Sequence, residues 1–209
     1  ATAPPAFEAK VTKKNGKTIE LKDEASTLSV VTNLEKNDVT VSKVTAKERR
    51  RNPVPPFITS KLQQEGARKL GFTAKRTMIV AQRLYEGIEL GDEGPIGLIT
   101  YMRTDSTRVA NEAIAEVREY INQRYGTTVL PTKPTVYKSK KGAQDAHEAI
   151  RPTDITRNPE FLKKYLSSDQ LKLYNLIWSR ALSSQMESAK FDRKTITISS
   201  LDEKNIFKA

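Results

Sequence analysis

Tyr101 and Arg103 stand two residues apart in the run Gly97-Leu98-Ile99-Thr100-Tyr101-Met102-Arg103-Thr104-Asp105-Ser106. In extended backbone, residues i and i+2 share a face, so a phenol and a guanidinium at this spacing can meet one phosphate together. A phenol near its ordinary pKa of about 10 is a poor nucleophile at neutral pH and needs a cation or a base beside it as its oxygen forms a bond. A guanidinium keeps its charge and offers paired donors to phosphate oxygens, which suits phosphoryl transfer better than an ammonium does. By residue type alone, however, a tyrosine in an apolar run is more often a core residue whose hydroxyl finds one partner. Arg103 is as readily a surface ion pair with Asp105. Thr104 and Asp105 either orient the arginine or, in the case of Asp105, cap the turn that follows.

His147 is the only histidine in the chain, so any imidazole chemistry must use it. It is either a structural histidine bonded to backbone or a group that holds a phosphate oxygen or moves a proton. His147-Glu148 does not begin a zinc motif, because the residue four positions on is Arg151 and the chain has no cysteine. Arg151 in turn is either a phosphate contact or the partner of a carboxylate such as Glu148. Gln82 and Arg83 fall in a helical stretch and face either a polyanion or water.

These residues need elements to hold them. Residues 8–44 alternate apolar and polar in short Val- and Thr-rich runs, with a turn at Asn15-Gly16, which is strand chemistry. Asp23–Glu35 has room for a short helix packed on the sheet. The basic run Lys47, Arg49, Arg50, Arg51 then leads into Asn52-Pro53-Val54-Pro55-Pro56, where three prolines mark a domain boundary and the arginines read as a solvated linker or a phosphate clamp. Beyond it the period becomes helical. Thr59 or Ser60 is placed to cap a helix to about Leu70, ended by Gly71, and Thr73 to cap another to about Glu86, ended by Gly87. Their short joint suggests a helix-turn-helix.

Residues 88–97 are acidic and Gly-rich and lead into a strand or extended turn over Ile96–Met102, with the stretch from Gly87 to Pro95 expected at an outer edge. Apolar spacing predicts helices over roughly 110–125 and from Asp169 to about Met186, the latter capped by Ser168. Phe191–Leu201 returns to β character and is expected to rejoin the first sheet. The fold class is therefore α+β: a discontinuous β-rich domain (1–52 and 188–209) interrupted by a mainly helical domain (53–187).

Lys plus Arg number 36 against 25 Asp plus Glu, a formal net charge of +11, which favours a polyanionic partner such as nucleic acid. No apolar run approaches the roughly 18 residues of a membrane span, and no membrane partner is expected. Without cysteine, disulfides and thiolate metal sites are excluded and an intracellular compartment is compatible. Ala1–Phe7 reads as a loop without signal-peptide features, and the missing initiator Met suggests a piece of a longer protein.

The run around Tyr101 resembles the active-site signature of the bacterial type IA topoisomerases, in which a tyrosine is followed two residues on by an arginine and then by Thr-Asp-Ser. Pro56-Phe57-Ile58-Thr59-Ser60 with Leu62-Gln63-Gln64 upstream, Ala81-Gln82-Arg83-Leu84-Tyr85-Glu86, and Ala146-His147-Glu148-Ala149-Ile150-Arg151-Pro152 downstream resemble the same family in the same order. The resemblance is strong over 56–152 and weak at both ends. It implies Tyr101 as nucleophile with Arg103 and His147 at the scissile phosphate, and DNA contacts from Thr104, Asp105, Gln82, Arg83 and Arg151.

It further implies cleavage and resealing of one DNA strand through a 5′-phosphotyrosine, relaxing negative supercoils without ATP. The partners would be single-stranded DNA, negatively supercoiled duplex and the enzyme's remaining domains, in the bacterial cytoplasm at the nucleoid. The helical domain would be winged-helix-like and the β domain an arch. Magnesium would be held in the full-length enzyme by an acidic domain whose Asp-x-Asp cluster has no counterpart here, so no metal ligands are expected in this chain and relaxation by it alone is not. A tyrosine recombinase would place its tyrosine after the His and Arg elements, the reverse of the order here. A non-catalytic helix-turn-helix DNA-binding module would explain the charge but not the Tyr-Met-Arg-Thr-Asp-Ser run.

Overall fold

Asn15 and Gly16 both adopt left-handed backbone, with φ of 51° and 75°, and turn β1 (Lys10–Lys14) back onto β2 (Lys17–Thr18). The structure, a computed structural model, describes residues 7–137, 147–202 and 205–208. The reading of the N-terminal loop therefore lies almost wholly outside the described residues, as does Ala146. Asp23 caps α1 (Glu24–Glu35) by accepting from the Ser26 amide, and the helix runs for 12 residues, longer than its weak apolar pattern predicts. Tertiary packing sustains it, since Val30 is buried.

The next strand, β3 (Val39–Arg51), corrects one expectation: the basic run 47–51 is strand rather than linker. Alternating exposed cations do not oppose extended backbone, whereas Pro53 removes a ladder donor, and the strand stops just before it. The chain then builds α2 (Thr59–Leu70), α3 (Ala74–Glu86), a small antiparallel ribbon of β4 (Ile88–Glu89) and β5 (Pro95–Ile96), α4 (Asn111–Tyr125), α5 (Pro159–Leu162) and α6 (Ser168–Ser184). It closes with β6 (Ala189–Ser200) and β7 (Asn205–Lys208).

The five-stranded sheet has the order β2-β1-β7-β6-β3. β7 pairs antiparallel with β1 and with β6, so Phe207 faces Val11 on one side and Ile198 on the other. Strands from both ends of the chain thus interleave in one sheet, and the fold is α+β, as expected. By its contacts the chain divides into two units, Ala1–Arg51 with Lys190–Ala209, and Asn52–Ala189.

The second unit is organised on α6, which touches α2, α3, α4 and α5. Ser167 caps it with a reciprocal box to Gln170, one residue before the expected Ser168, because only Ser167 precedes the Gln at the third helical position. Its inward side carries Leu173, Tyr174, Ile177 and Trp178, all buried. Burial of such side chains contributes about 1.5–3 kcal/mol each. Two of them also hold a loop in place: the Tyr174 hydroxyl donates to the Arg157 carbonyl at 2.7 Å and the Trp178 indole to that of Ile155 at 2.9 Å. The acidic segment after α3 is no free edge, since Leu90 is buried in the core and Glu93 pairs with Arg157 at 2.8 Å. No helix among the described residues is long and apolar enough to cross a membrane.

Candidate active site

The tyrosine segment begins where α3 ends. The Leu98 amide donates to the Leu84 carbonyl at 2.7 Å, and a Cβ on Gly97 would stand 2.6 Å from the Tyr85 carbonyl oxygen, so only glycine permits this approach. Beyond Thr100 the segment alternates strictly. Tyr101, Arg103 and Asp105 are exposed, while Met102, Thr104 and Ser106 are buried. That is the period of extended backbone lying flat on a core, although no continuous ladder of strand hydrogen bonds forms here and the expected strand shrinks to β5 and an isolated bridge between Ile99 and Pro152.

Side-chain and backbone bonds from two distant segments fix it instead. The Thr59 hydroxyl accepts from the Thr104 amide and donates to the Met102 carbonyl, both at 2.8 Å. Thr59 also donates its amide to the Thr104 carbonyl at 2.9 Å. On the other side, the Thr100 hydroxyl donates to the Ala149 carbonyl at 2.8 Å and accepts from the Arg151 amide at 3.0 Å. The Thr100 amide donates to the Arg151 carbonyl at 2.9 Å, and the Ile150 amide to that of Phe57 at 2.8 Å. Segments 57–59, 98–106 and 149–153 are thereby laced into one floor.

On this floor lies an open cavity of about 580 Å³, lined by Ile58, Thr59, Ser60, Arg103, Thr104, Asp105 and His147. It opens at the amino end of α2, whose N-cap is Ile58 and has no side-chain cap. This corrects the expectation that Thr59 or Ser60 caps the helix: Thr59 is its first residue, and its hydroxyl is used on the tyrosine segment. An uncapped helix N-terminus beside a guanidinium and an imidazole favours an anion. Arg103 makes no ion pair among the described residues, with Asp105 or otherwise, and remains available to one. Tyr101 does not line this cavity. Its ring, 47 % exposed, lies on the same face of the segment as Arg103 and meets Tyr85 edge-on.

The remaining expected contacts separate. Thr104 is turned inward by the alternation, and its hydroxyl accepts from the Ser106 amide at 3.1 Å, so it shapes the segment more than it offers a polar edge. Arg151 is paired within the fold: its guanidinium donates to Glu148 at 2.8 Å and to the Pro152 carbonyl at 3.0 Å, and Glu148 also accepts from the Ala110 amide at the start of α4 at 2.6 Å. Gln82, half-buried, is bonded to Glu86 on its own helix, while Arg83 is exposed and forms no ion pair among the described residues. Neither lines the cavity. Among the described residues, no group of three or more Asp, Glu or His is placed to hold a metal ion.

The family described as DNA topoisomerase matches residues 3–209. The chain belongs to that family. It is 47 % identical over 207 residues to DNA topoisomerase 1 of Rickettsia felis, covering 97 % of this chain and 26 % of that protein. With DNA topoisomerase 1 of Xylella fastidiosa (strain 9a5c) the identity is 52 % over 170 residues, 81 % of this chain and 21 % of the other. The full-length topoisomerase I from Thermotoga maritima is similar in structure, with a TM-score of 0.73 at 37 % identity over 97 % of this chain and 34 % of that one. The chain thus spans about a quarter of the length of the curated topoisomerases it matches.

Three residues of this candidate site were not assigned to it by spacing. Thr59 and Ser60 read as caps and Tyr85 as part of a helix, and although all three fall in segments that resemble the family, none was given a role at the site. The signal for Thr59 was present in its β-branched hydroxyl next to buried Phe57, but nothing local says that its partners lie some forty residues on.

Proposed function

We propose that this chain supplies the nucleophile half of a type IA topoisomerase active site. The observation that carries the reading is the exposure of Tyr101 and Arg103 on one face of a segment whose alternate residues are buried, beside a cavity that also takes in His147 and the amino end of α2.

In this reading a single DNA strand lies along the exposed face with one phosphate at Arg103. The Tyr101 oxygen attacks phosphorus, forming a P–O bond as its proton leaves, and the bond from phosphorus to the 3′-oxygen breaks, releasing a 3′-hydroxyl. Arg103 and the α2 amino end neutralise charge that grows on the non-bridging oxygens. His147 holds one of those oxygens or carries a proton to or from the reacting pair. The phosphotyrosyl ester preserves the bond energy, so return of the hydroxyl reseals the strand without ATP. Asp105 and Arg83 add contacts along the strand, and Arg151 acts by fixing Glu148. Magnesium would be held by a separate acidic domain of the full-length enzyme and would supply further charge neutralisation at the phosphate. The helical unit takes the role of a winged-helix-like cleavage domain and the sheet that of an arch, with negatively supercoiled DNA relaxed in the bacterial cytoplasm.

Mixing the chain with a separately produced metal-binding domain, magnesium and an oligonucleotide labelled at its 3′ end tests this. We expect label joined to protein that survives detergent, lost in Tyr101→Phe; a 5′ label should be released. Adduct that persists in Tyr101→Phe overturns the reading, and absence of adduct with every metal domain tried leaves a DNA-binding module.

A further inference from the structure

The most concentrated charge in the chain belongs to the other unit from the one that carries Tyr101, at the exposed end of the β3–β6 ribbon. Residues 47–51 and 190–194 comprise seven cations, two carboxylates and Phe191. All ten are exposed, and several line an open cavity of about 610 Å³.

The two faces of the ribbon differ. On β3, Glu48 and Arg50 share one face and pair at 3.0 Å, and Lys190 on β6 lies near enough to Glu48 to help Arg50 hold its carboxyl below the usual range. The alternate residues Lys47, Arg49 and Arg51 take the other face, and the same alternation on β6 puts Phe191 and Arg193 there. On that face none of the four cations has an ion pair among the described residues, and the Phe191 ring is 49 % exposed. Side chains of alternate strand residues recur at about 7 Å, close to the spacing of successive phosphates in an extended strand. A row of unpaired cations with an aromatic ring among them is what a single-stranded nucleic acid needs, phosphates on the cations and a base on the ring.

We infer that this face of the ribbon, centred on Lys47, Arg49, Arg51, Arg193 and Phe191, is a second DNA-binding surface that takes a single strand through its phosphates and stacks one base on Phe191. The inference rests on the reading above only for the identity of the polyanion. The surface requires neither Tyr101 nor the cavity at α2, and holds DNA without reacting with it.

Fluorescence anisotropy of the full chain with a fluorescein-labelled oligothymidylate, titrated over salt, tests it. The triple change Lys47→Gln, Arg49→Gln, Arg51→Gln should weaken binding at least about tenfold at low salt and lower the slope of log affinity against log salt by about 2. Phe191→Ala should cost about fivefold or more for the single strand. The matched triple change Lys10→Gln, Lys13→Gln, Lys17→Gln, on β1 and β2 of the same sheet, should cost less than twofold. Tyr101→Phe should bind as the unchanged chain does while forming no adduct, and the ribbon triple should still form adduct at saturating oligonucleotide. Equal binding by the ribbon triple and the unchanged chain, equal loss in the two triples, or a Phe191→Ala variant without effect overturns the inference; loss of adduct chemistry alone counts against the earlier reading and not this one.

Discussion

The Tyr85 and Tyr101 rings meet edge to face, their centroids 5.3 Å apart and their planes at 64°. Tyr85 lies in the last turn of α3, and its carbonyl lies where Gly97 starts the tyrosine segment, so one residue meets both the backbone entry and the ring of Tyr101. An aromatic pair of this kind is worth about 0.5–1.5 kcal/mol. Tyr85→Ala should therefore slow adduct formation by roughly two- to tenfold with little change in DNA affinity, and Tyr85→Phe, which keeps the ring, should restore the rate. If Phe is as slow as Ala, the ring contact is not what positions Tyr101.

Gly97→Ala forces a methyl to within 2.6 Å of a backbone oxygen, a neighbour that cannot rotate away. We expect a loss of about 1–3 kcal/mol in urea unfolding, followed by the fluorescence of Trp178, the only tryptophan. The adduct yield should fall further than the stability loss explains, because the displaced backbone carries Tyr101. A fully stable, fully active variant would show that the segment tolerates a shift.

Arg103 and Arg151 make opposite forecasts. Arg103 is exposed and unpaired among the described residues, so Arg103→Ala should change stability by less than about 0.5 kcal/mol while lowering the cleavage rate by about 10²–10³. Arg103→Lys should recover only part, because an ammonium lacks the paired donors. Arg151 is committed to Glu148, so Arg151→Ala should cost stability of about 1–3 kcal/mol by leaving that part-buried carboxylate short of partners. A variant pair with these costs exchanged would reverse the two roles.

Tyr174 supplies a test in pH. Burial, aided by the negative charge of Asp154, raises its phenol well above the ordinary value of about 10. The folded state then keeps a proton that the unfolded chain gives up, so this contribution is whole below pH 10 and declines as pH rises beyond it. Urea midpoints measured from pH 8 to 11 should fall above pH 10. In Tyr174→Phe they should fall less steeply, from a starting stability about 1 kcal/mol lower for the lost bond to Arg157. Parallel curves for the two proteins would remove Tyr174 as the source.

The alternation of Tyr101 with Met102 and the caps at Thr73 and Gly71 were legible, because each depends on residues within a few positions. So were α4, α6 and the returning strand, whose apolar periods are long. What was not legible is decided away from the residues concerned. Thr59 has the chemistry of a cap and is used instead across the fold on Met102 and Thr104. The cations at 47–51 resemble a linker, yet pairing with β6 makes them strand. Arg151 carried two readings that only the position of Glu148 separates. Thr104 stood in the motif beside Arg103, and its inward turn follows from the two-residue period already recognised for its neighbours.

That period also sets how Tyr101 can be misplaced. Sliding the segment by one residue would carry Met102 into water and the Tyr101 hydroxyl into the core, and would break together the bonds to Thr59 and those that Thr100 makes to Ala149 and Arg151. Small displacements are therefore not available as a graded series. The tyrosine is either in register or the floor beneath it is undone, so a misplaced Tyr101 is a failure of folding rather than of aim.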